Sequence, residues 1–348
     1  MIWARVPTIL FATLLISGCA STVLDYDKDK ASLALKQDEY EKQVQVKSVP
    51  EASAHALEVK PVAEVVPDKK GSKKKKKESA KTTALNSAPK KIGPHLPEME
   101  DKEGFVGRRP IEDPFRPGEH SILELTYFNV VAGTLDIGIK PMVEVNGQKA
   151  YHLEVAAKTN SFFNHVYGVD DLATTYLSYD ELIPVNLQIT LKETKQLAEA
   201  RTFFDWKAMK ASYWQKRVTK DNGEESKKLE WAIKEYSQNV ISASFYMRTF
   251  KYEVGKKLAF RVADEGKNIV FTGEVLRKEK LETPAGELNT IVMKPHITVD
   301  GVFTPVGDVL VWLTDDDRKF IVRLETKIKI GTIVAKLKSL DKGQEKAP

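Results

Sequence analysis

Cysteine occurs once in these 348 residues, at position 19. A lone thiol is a nucleophile with no intramolecular disulfide partner. The residues before it define its setting. Arg5 supplies a positive start, Ile9 to Ile16 form a short apolar run, and Ser17 and Gly18 place two small residues before Cys19. The apolar run is too short for a comfortable transmembrane helix. With its one thiol at the N-terminus, the rest of the chain has no Cys-based metal site. An exported domain of this kind must be held by its hydrophobic core.

The other reactive side chains are scattered. His120, His152, His165 and His296 show no metal-ligand spacing, and each is expected on a surface or strand face. Asp315-Asp316-Asp317 lacks the glycine and distal glutamate of a calcium loop. It lies between two strand patterns and is expected to be a charged hairpin turn, and Asp170-Asp171 is expected to be a solvated turn as well. The motifs G-x-S-x-G, H-E-x-x-H, G-x-G-x-x-G and the P-loop are absent, so neither catalysis nor a cofactor is expected. A hydrolase with paired carboxylates stays open only in principle, because no spacing singles out a pair.

Aromatics crowd the stretch between Tyr151 and Trp214. Asn160-Ser161-Phe162-Phe163-Asn164-His165-Val166-Tyr167 is an aromatic stretch bounded by small polar residues. Phe162, Phe163 and Tyr167 could form a lip over an apolar cavity or a stacking surface for sugars. The plainer alternative is core packing.

Ile16-Ser17-Gly18-Cys19 fits the lipobox pattern, and residues 1–19 resemble a bacterial lipoprotein signal peptide. The resemblance implies cleavage before Cys19 and acylation of that residue on thiol and amine, with chains of the palmitate class. Two or three acyl chains anchor stably where one is marginal. Ala20 and Ser21 follow, with no Asp to signal inner-membrane retention. The expected address is the outer membrane, facing the periplasm.

The positioning elements divide into a tail and a domain. The expected bounds are a signal peptide over 1–18, a lipidated lysine-rich disordered tether over 19–115, an antiparallel β domain over 116–340 and a disordered end over 341–348. The tail composition buries too little apolar surface to offset the entropy of ordering. As a coil it would span about 55 Å. Its charge comes in blocks: net −4 over 20–68, net +9 over 69–91, net −3 over 92–115. Lys73, Lys74, Lys75, Lys76 and Lys77 are the centre of the basic block. They could contact anionic headgroups, lipopolysaccharide phosphates or a cell-wall polymer, or be a solvated linker. An exported chain meets no nucleic acid.

From about Arg116 the pattern alternates with period two. Val185, Leu187, Ile189 and Leu191 alternate with Asn186, Gln188, Thr190 and Lys192, and Leu258, Phe260 and Val262 repeat the pattern. Asn146-Gly147 suits a tight hairpin. Ser237 to Phe250 instead has helical spacing, with Ser237 as expected N-cap. The reading is mainly β: a large curled antiparallel sheet or half-barrel of about a dozen strands with one amphipathic helix.

Several segments occur in an order that is similar to the exported bacterial family known as domain of unknown function 3108. They are Gly118-Glu119 with Leu125-Thr126-Tyr127 and Ala132-Gly133-Thr134, then Leu182-Ile183-Pro184, then Phe245-Tyr246-Met247-Arg248 with Tyr252-Glu253-Val254-Gly255. Glu282-Thr283-Pro284-Ala285-Gly286-Glu287 with Lys294-Pro295, Val311-Trp312-Leu313-Thr314-Asp315-Asp316, Arg318 and Gly331 complete the series. The resemblance implies a periplasmic β-rich domain, by analogy a half-barrel like that of lipoprotein carriers, and brings no established activity. The expected function is a tethered envelope lipoprotein whose concave sheet binds an apolar or amphiphilic ligand. The alternative is a scaffolding module in the cell wall that uses the lysine-rich tail.

Overall fold

The computed structural model describes residues 37–49, 104–299, 302–304, 308–328 and 331–344. Helix α1 (Gln37–Gln43) and strand β1 (Val46–Ser48) come first. A small hairpin follows, β2 (Phe105–Val106) and β3 (Arg109–Pro110). The domain proper begins with β4 (Glu119–Tyr127), β5 (Val130–Val145) and β6 (Gln148–Thr159). After the short helix α2 (Ser161–Asn164) come β7 (Asp170–Ser178), β8 (Asn186–Glu193), β9 (Gln196–Asp205), β10 (Lys210–Thr219) and β11 (Gly223–Ala232). Helix α3 (Val240–Tyr246) runs into a 3-10 turn over Met247–Thr249. The chain then returns to strand in β12 (Lys257–Asp264), β13 (Lys267–Thr283), β14 (Gly286–Val299), β15 (Val302–Thr304), β16 (Val309–Thr314), β17 (Ile321–Ile328) and β18 (Gly331–Lys342).

All but β2 and β3 join one 16-stranded sheet, with β11 to β4 in descending order, then β18, β17, β16, β14, β13 and β12. Neighbours are antiparallel throughout. The hairpin turns therefore fall alternately at two ends, called here the open end (128–129, 160–169, 194–195, 220–222, 265–266) and the closed end. Asn146-Gly147 forms its expected turn, with φ of 52° and 81°, the left-handed values that suit a two-residue hairpin. At Gly133 a Cβ would overlap the Lys158 carbonyl, so only glycine lets β5 approach β6 this closely.

So large a sheet must curl, and its end strands β11 and β12 come to face each other. Tyr213 and Lys227 reach Glu265 at 3.2 and 3.3 Å, and Asn268 Nδ2 donates to the Ala232 carbonyl at 2.9 Å. Gln238 N donates to Arg261 O and Ala263 N to Gln238 O, both at 2.8 Å. The seam is thus bridged by side chains and a short connecting segment, without a hydrogen-bond ladder between the end strands.

The expected helix is present but shorter, and its cap differs. Asn239, not Ser237, is the N-cap: its Oδ1 accepts from Ile241 N and Ser242 N, and Ser242 closes a capping box. Ser237 lies two residues too early to reach those amides; its hydroxyl donates to the Lys234 carbonyl. The helix enters the curl at the closed end and packs Ile241, Phe245, Tyr246, Met247 and Phe250 against Leu123, Leu153, Leu187, Phe260 and Val322 in one core. The helix and the 3-10 turn thus fill part of the concave face with the chain's own side chains. A recess of about 70 Å³ lies beside the seam, lined by residues that include Lys234, Arg261 and Thr298. Ligand pockets typically need about 300 Å³ or more.

The tether expected over 19–115 is ordered against the domain in two places. Tyr40 and Val44 of the first helix are buried on the outer face, among Val143, Val145 and Ala150. The Tyr40 hydroxyl accepts from Asn186 Nδ2 at 2.7 Å and Gln188 Nε2 at 2.9 Å. β1 adds to β5, with Val46 opposite Val145. The second stretch is 104–115, where Arg108 and Phe115 are buried. Composition averaged over the tail hid these few anchoring side chains. Strand β18 also runs past the expected limit of 340, to Lys342.

The lysine run therefore lies in a stretch whose two ends, residues 49 and 104, are both held on the domain. Burial of Tyr40 and Val44 stabilises this clip by about 1.5–3 kcal/mol each. A protease site inserted after Lys77, cut in the native protein, should leave residues 20–49 co-eluting with the domain on gel filtration. Tyr40→Ala combined with Val44→Asp should release that fragment. Separately, Phe245→Ala should cost about 3–5 kcal/mol in urea unfolding, through the cavity left in the core.

Candidate functional site

The expected lip forms part of the open end. Asn160 caps α2, accepting from Phe163 N at 2.9 Å, while its Nδ2 donates to the Val131 carbonyl at 2.6 Å. That bond pins the lip to the start of β5. Phe162 is 70% exposed and meets Phe163 edge-on at 5.5 Å. Tyr167 turns the other way, and its hydroxyl donates to Glu193 Oε2 at 2.6 Å. The three residues are thus neighbours with different roles. Beneath them lies a polar group.

That group was not legible in the sequence. Asp171 and Glu193 stand on adjacent strands, β7 and β8, in the inward rows that continue Ala173 and Leu191. Their carboxyls bond to each other side by side. Gln196 Nε2 donates to Glu193 Oε2 at 2.8 Å, and Lys192 N donates to Asp171 Oδ1 at 3.0 Å. Burial, and then the adjacent Glu193, push the Asp171 carboxyl up to about 7. Burial and Glu193 also push the Tyr167 hydroxyl well above the usual phenol range, so it stays a donor. Asp171 is therefore not in a solvated turn, as its DD doublet suggests, but within a strand. The row parity that points it inward was available; the pairing with Glu193 needed the strand register.

Two carboxyls in contact on adjacent strands differ from the glycosidase arrangement, where the groups stand roughly 5–10 Å apart across a sugar. Burial favours the protonated form of Asp171, and Glu193 fixes Tyr167. At the seam, burial and Glu265 likewise raise Asp264 to about 7.

The remaining candidates fall apart from this group. His120 pairs with Asp136 at 3.2 Å, and His296 lies 3.9 Å from Glu274. Asp316 forms the expected charged turn, its Oδ1 accepting from Arg318 N and Lys319 N at 3.0 and 2.8 Å. Among the described residues no cluster of His, Cys, Asp and Glu could hold a metal, and no helix is long and apolar enough to cross a membrane. Cys19 and Lys73 to Lys77 lie outside the described residues.

Asp171 and Asp264 keep protons in the folded state up to about pH 7 that the unfolded chain releases near 3.8. The folded state binds more protons between those values, so their contribution is full below about pH 4 and falls as pH rises through 7. Asp171→Asn should raise the melting temperature by a few degrees at about pH 8 and change it little at about pH 4. A shift of equal size at both pH values would contradict this assignment.

No curated protein matches the sequence. Among solved structures the chain is similar to a β-barrel-like protein of domain of unknown function DUF1849 from Brucella abortus, at 11% identity and a TM-score of 0.38, covering 65% of this chain and 98% of that one. It is also similar to a candidate lipoprotein from Parabacteroides distasonis, at 10% identity and a TM-score of 0.28, covering 65% of this chain and 95% of that one. A third, a candidate exported protein with a YMCC-like fold from Bacteroides fragilis, gives 9% identity and a TM-score of 0.29, covering 66% and 97%. The model of the family described as protein of unknown function DUF3108 matches residues 122–338, which spans the sheet from β4 to β18 and includes the helix that fills it. The chain belongs to the DUF3108 family.

Proposed function

We propose that this is a non-catalytic envelope lipoprotein, anchored by acyl chains on Cys19 to the periplasmic face of the outer membrane. Its β domain acts by presenting its surface. One observation carries the choice between a docking module and a carrier: α3 and its 3-10 extension occupy the concave side of the sheet, with Phe245, Tyr246 and Phe250 all but inaccessible. A carrier needs that volume for acyl chains. A docking module needs it filled, because a filled core keeps a large curled sheet rigid. The lysine block from Lys69 to Lys77, held to the domain at both ends of its segment, is the element suited to an anionic envelope polymer.

Native mass spectrometry of the mature chain with Cys19→Ser tests this. The expected result is a clean protein mass with no stoichiometric lipid retained through purification. A retained lipid would restore the carrier reading. In cells, deletion of Lys69 to Lys77 should shift the lipoprotein out of the cell-wall fraction while leaving it membrane-bound. Unchanged fractionation would remove the polymer from the proposal.

A further inference from the structure

The two ends of the curled sheet show different surfaces. Ten large apolar side chains are exposed among the described residues, and six of them lie at the open end: Phe128, Val130, Val131, Phe162, Val166 and Leu172. The turn between β4 and β5 is Phe128-Asn129, with φ of 48° and 61°. Asparagine tolerates this left-handed region, and a bulky aromatic does so poorly. Folding alone favours Asn or Gly at position 128. Phe128 is nonetheless 63% exposed, its ring resting on Tyr127 with centroids 4.4 Å apart. A strained, solvent-facing phenylalanine at a turn tip is the kind of outlier from which function is inferred.

The tip is also preformed. Asn160 N donates to the Ala132 carbonyl at 2.8 Å, and its side chain donates to the Val131 carbonyl at 2.6 Å. These bonds hold the Phe162 helix against the strand that Phe128 begins. Nearby Lys158 lies 3.7 Å from Asp170, so that lysine adds no uncompensated charge. The surface is apolar on a rigid frame, which suits the boundary between headgroups and acyl chains.

We propose that the open end is a membrane-contact surface, with Phe128 and Phe162 entering the headgroup region of the bilayer that holds the anchor. The inference rests on the reading of Cys19 as the acylated residue. The clip at 37–49 argues for this occupant. Gln37 is 18 positions from Cys19, and a chain of that length reaches about 60 Å at most. The strands beside α1 are 8 to 10 residues long, about 25–35 Å, so both ends of the sheet lie within reach of the anchored bilayer. A bilayer is the one surface the anchored domain cannot leave.

The test uses the mature chain with Cys19→Ser, so that no acyl chain contributes, and vesicles of phosphatidylethanolamine and phosphatidylglycerol. Flotation should persist at high salt. An environment-sensitive fluorophore on Phe162→Cys should shift to the blue on binding, and the same probe on Lys207→Cys, at the closed end, should not. Phe128→Asp with Phe162→Asp should weaken vesicle binding at least about tenfold without lowering the melting temperature. Absence of flotation would overturn the proposal. So would binding that salt abolishes and the double variant leaves intact, which would assign it to the lysine block. Self-association removed by the double variant, with no vesicle binding, would assign the tip to a second copy and overturn it too. Labelling of the native lipoprotein with a palmitate analogue tests the anchor separately, so the two readings fail independently.

Discussion

Glu119 is the residue on which four separate parts of the chain converge. Its carboxylate accepts from Arg248 Nη1 and Arg318 Nη2, each at 2.5 Å, and from the Arg116 amide at 3.1 Å. Both guanidiniums also donate to the Pro114 carbonyl. Arg248 lies over the rings of Phe115 and Phe320, 5.3 and 4.8 Å from their centroids. One buried carboxylate thus ties the end of the helical segment to the first strand of the domain, the segment before it and the turn between β16 and β17. The value of such a pair is specificity of arrangement more than net stability, since two charges are costly to desolvate and removal of either leaves the other unpaired. Here the arrangement it specifies is the seating of the helix in the curl.

That seating decides what the rest of the molecule can do. A sheet of this size has a concave side that must be filled by ligand, water or chain. Here the helix and its 3-10 extension supply that filling, with Phe245, Tyr246 and Phe250 in the core. The closed end holds the Glu119, Arg248 and Arg318 group and the helix. The open end holds the adjacent carboxyls of Asp171 and Glu193 inside and exposed Phe128 and Phe162 outside. Asp171 and Glu193 set the position of Tyr167 from beneath, and Asn160 sets that of Phe162 from the side, so the tip is held by polar groups while presenting apolar ones.

The docked segment at 37–49 changes the meaning of the tail. Composition alone gives a coil of nearly a hundred residues with no contact to the domain. Tyr40 and Val44 are buried on the outer face, so the chain touches the domain both at 37–49 and at 104–115, on either side of the basic block in sequence.

Alternation in the sequence, as at Val185 to Leu191, determined that the domain is a sheet, and the helical spacing between Ser237 and Phe250 determined where its helix lies. These are local patterns set by the periods of strand and helix. Composition also placed the change from tail to domain near Arg116, but it could not show that Tyr40 and Val44 break from the tail, because their partners Val145 and Ala150 are a hundred residues away. The Gly118-Glu119, Arg248 and Arg318 motifs were visible as separate pieces of a family resemblance; only the tertiary structure joined them at one carboxylate. The same holds for Asp171, expected in a turn, and Glu193, which no sequence pattern singled out. Register between strands and the path of a curling sheet are long-range properties. They are fixed by which side chains meet, and a linear sequence does not state that.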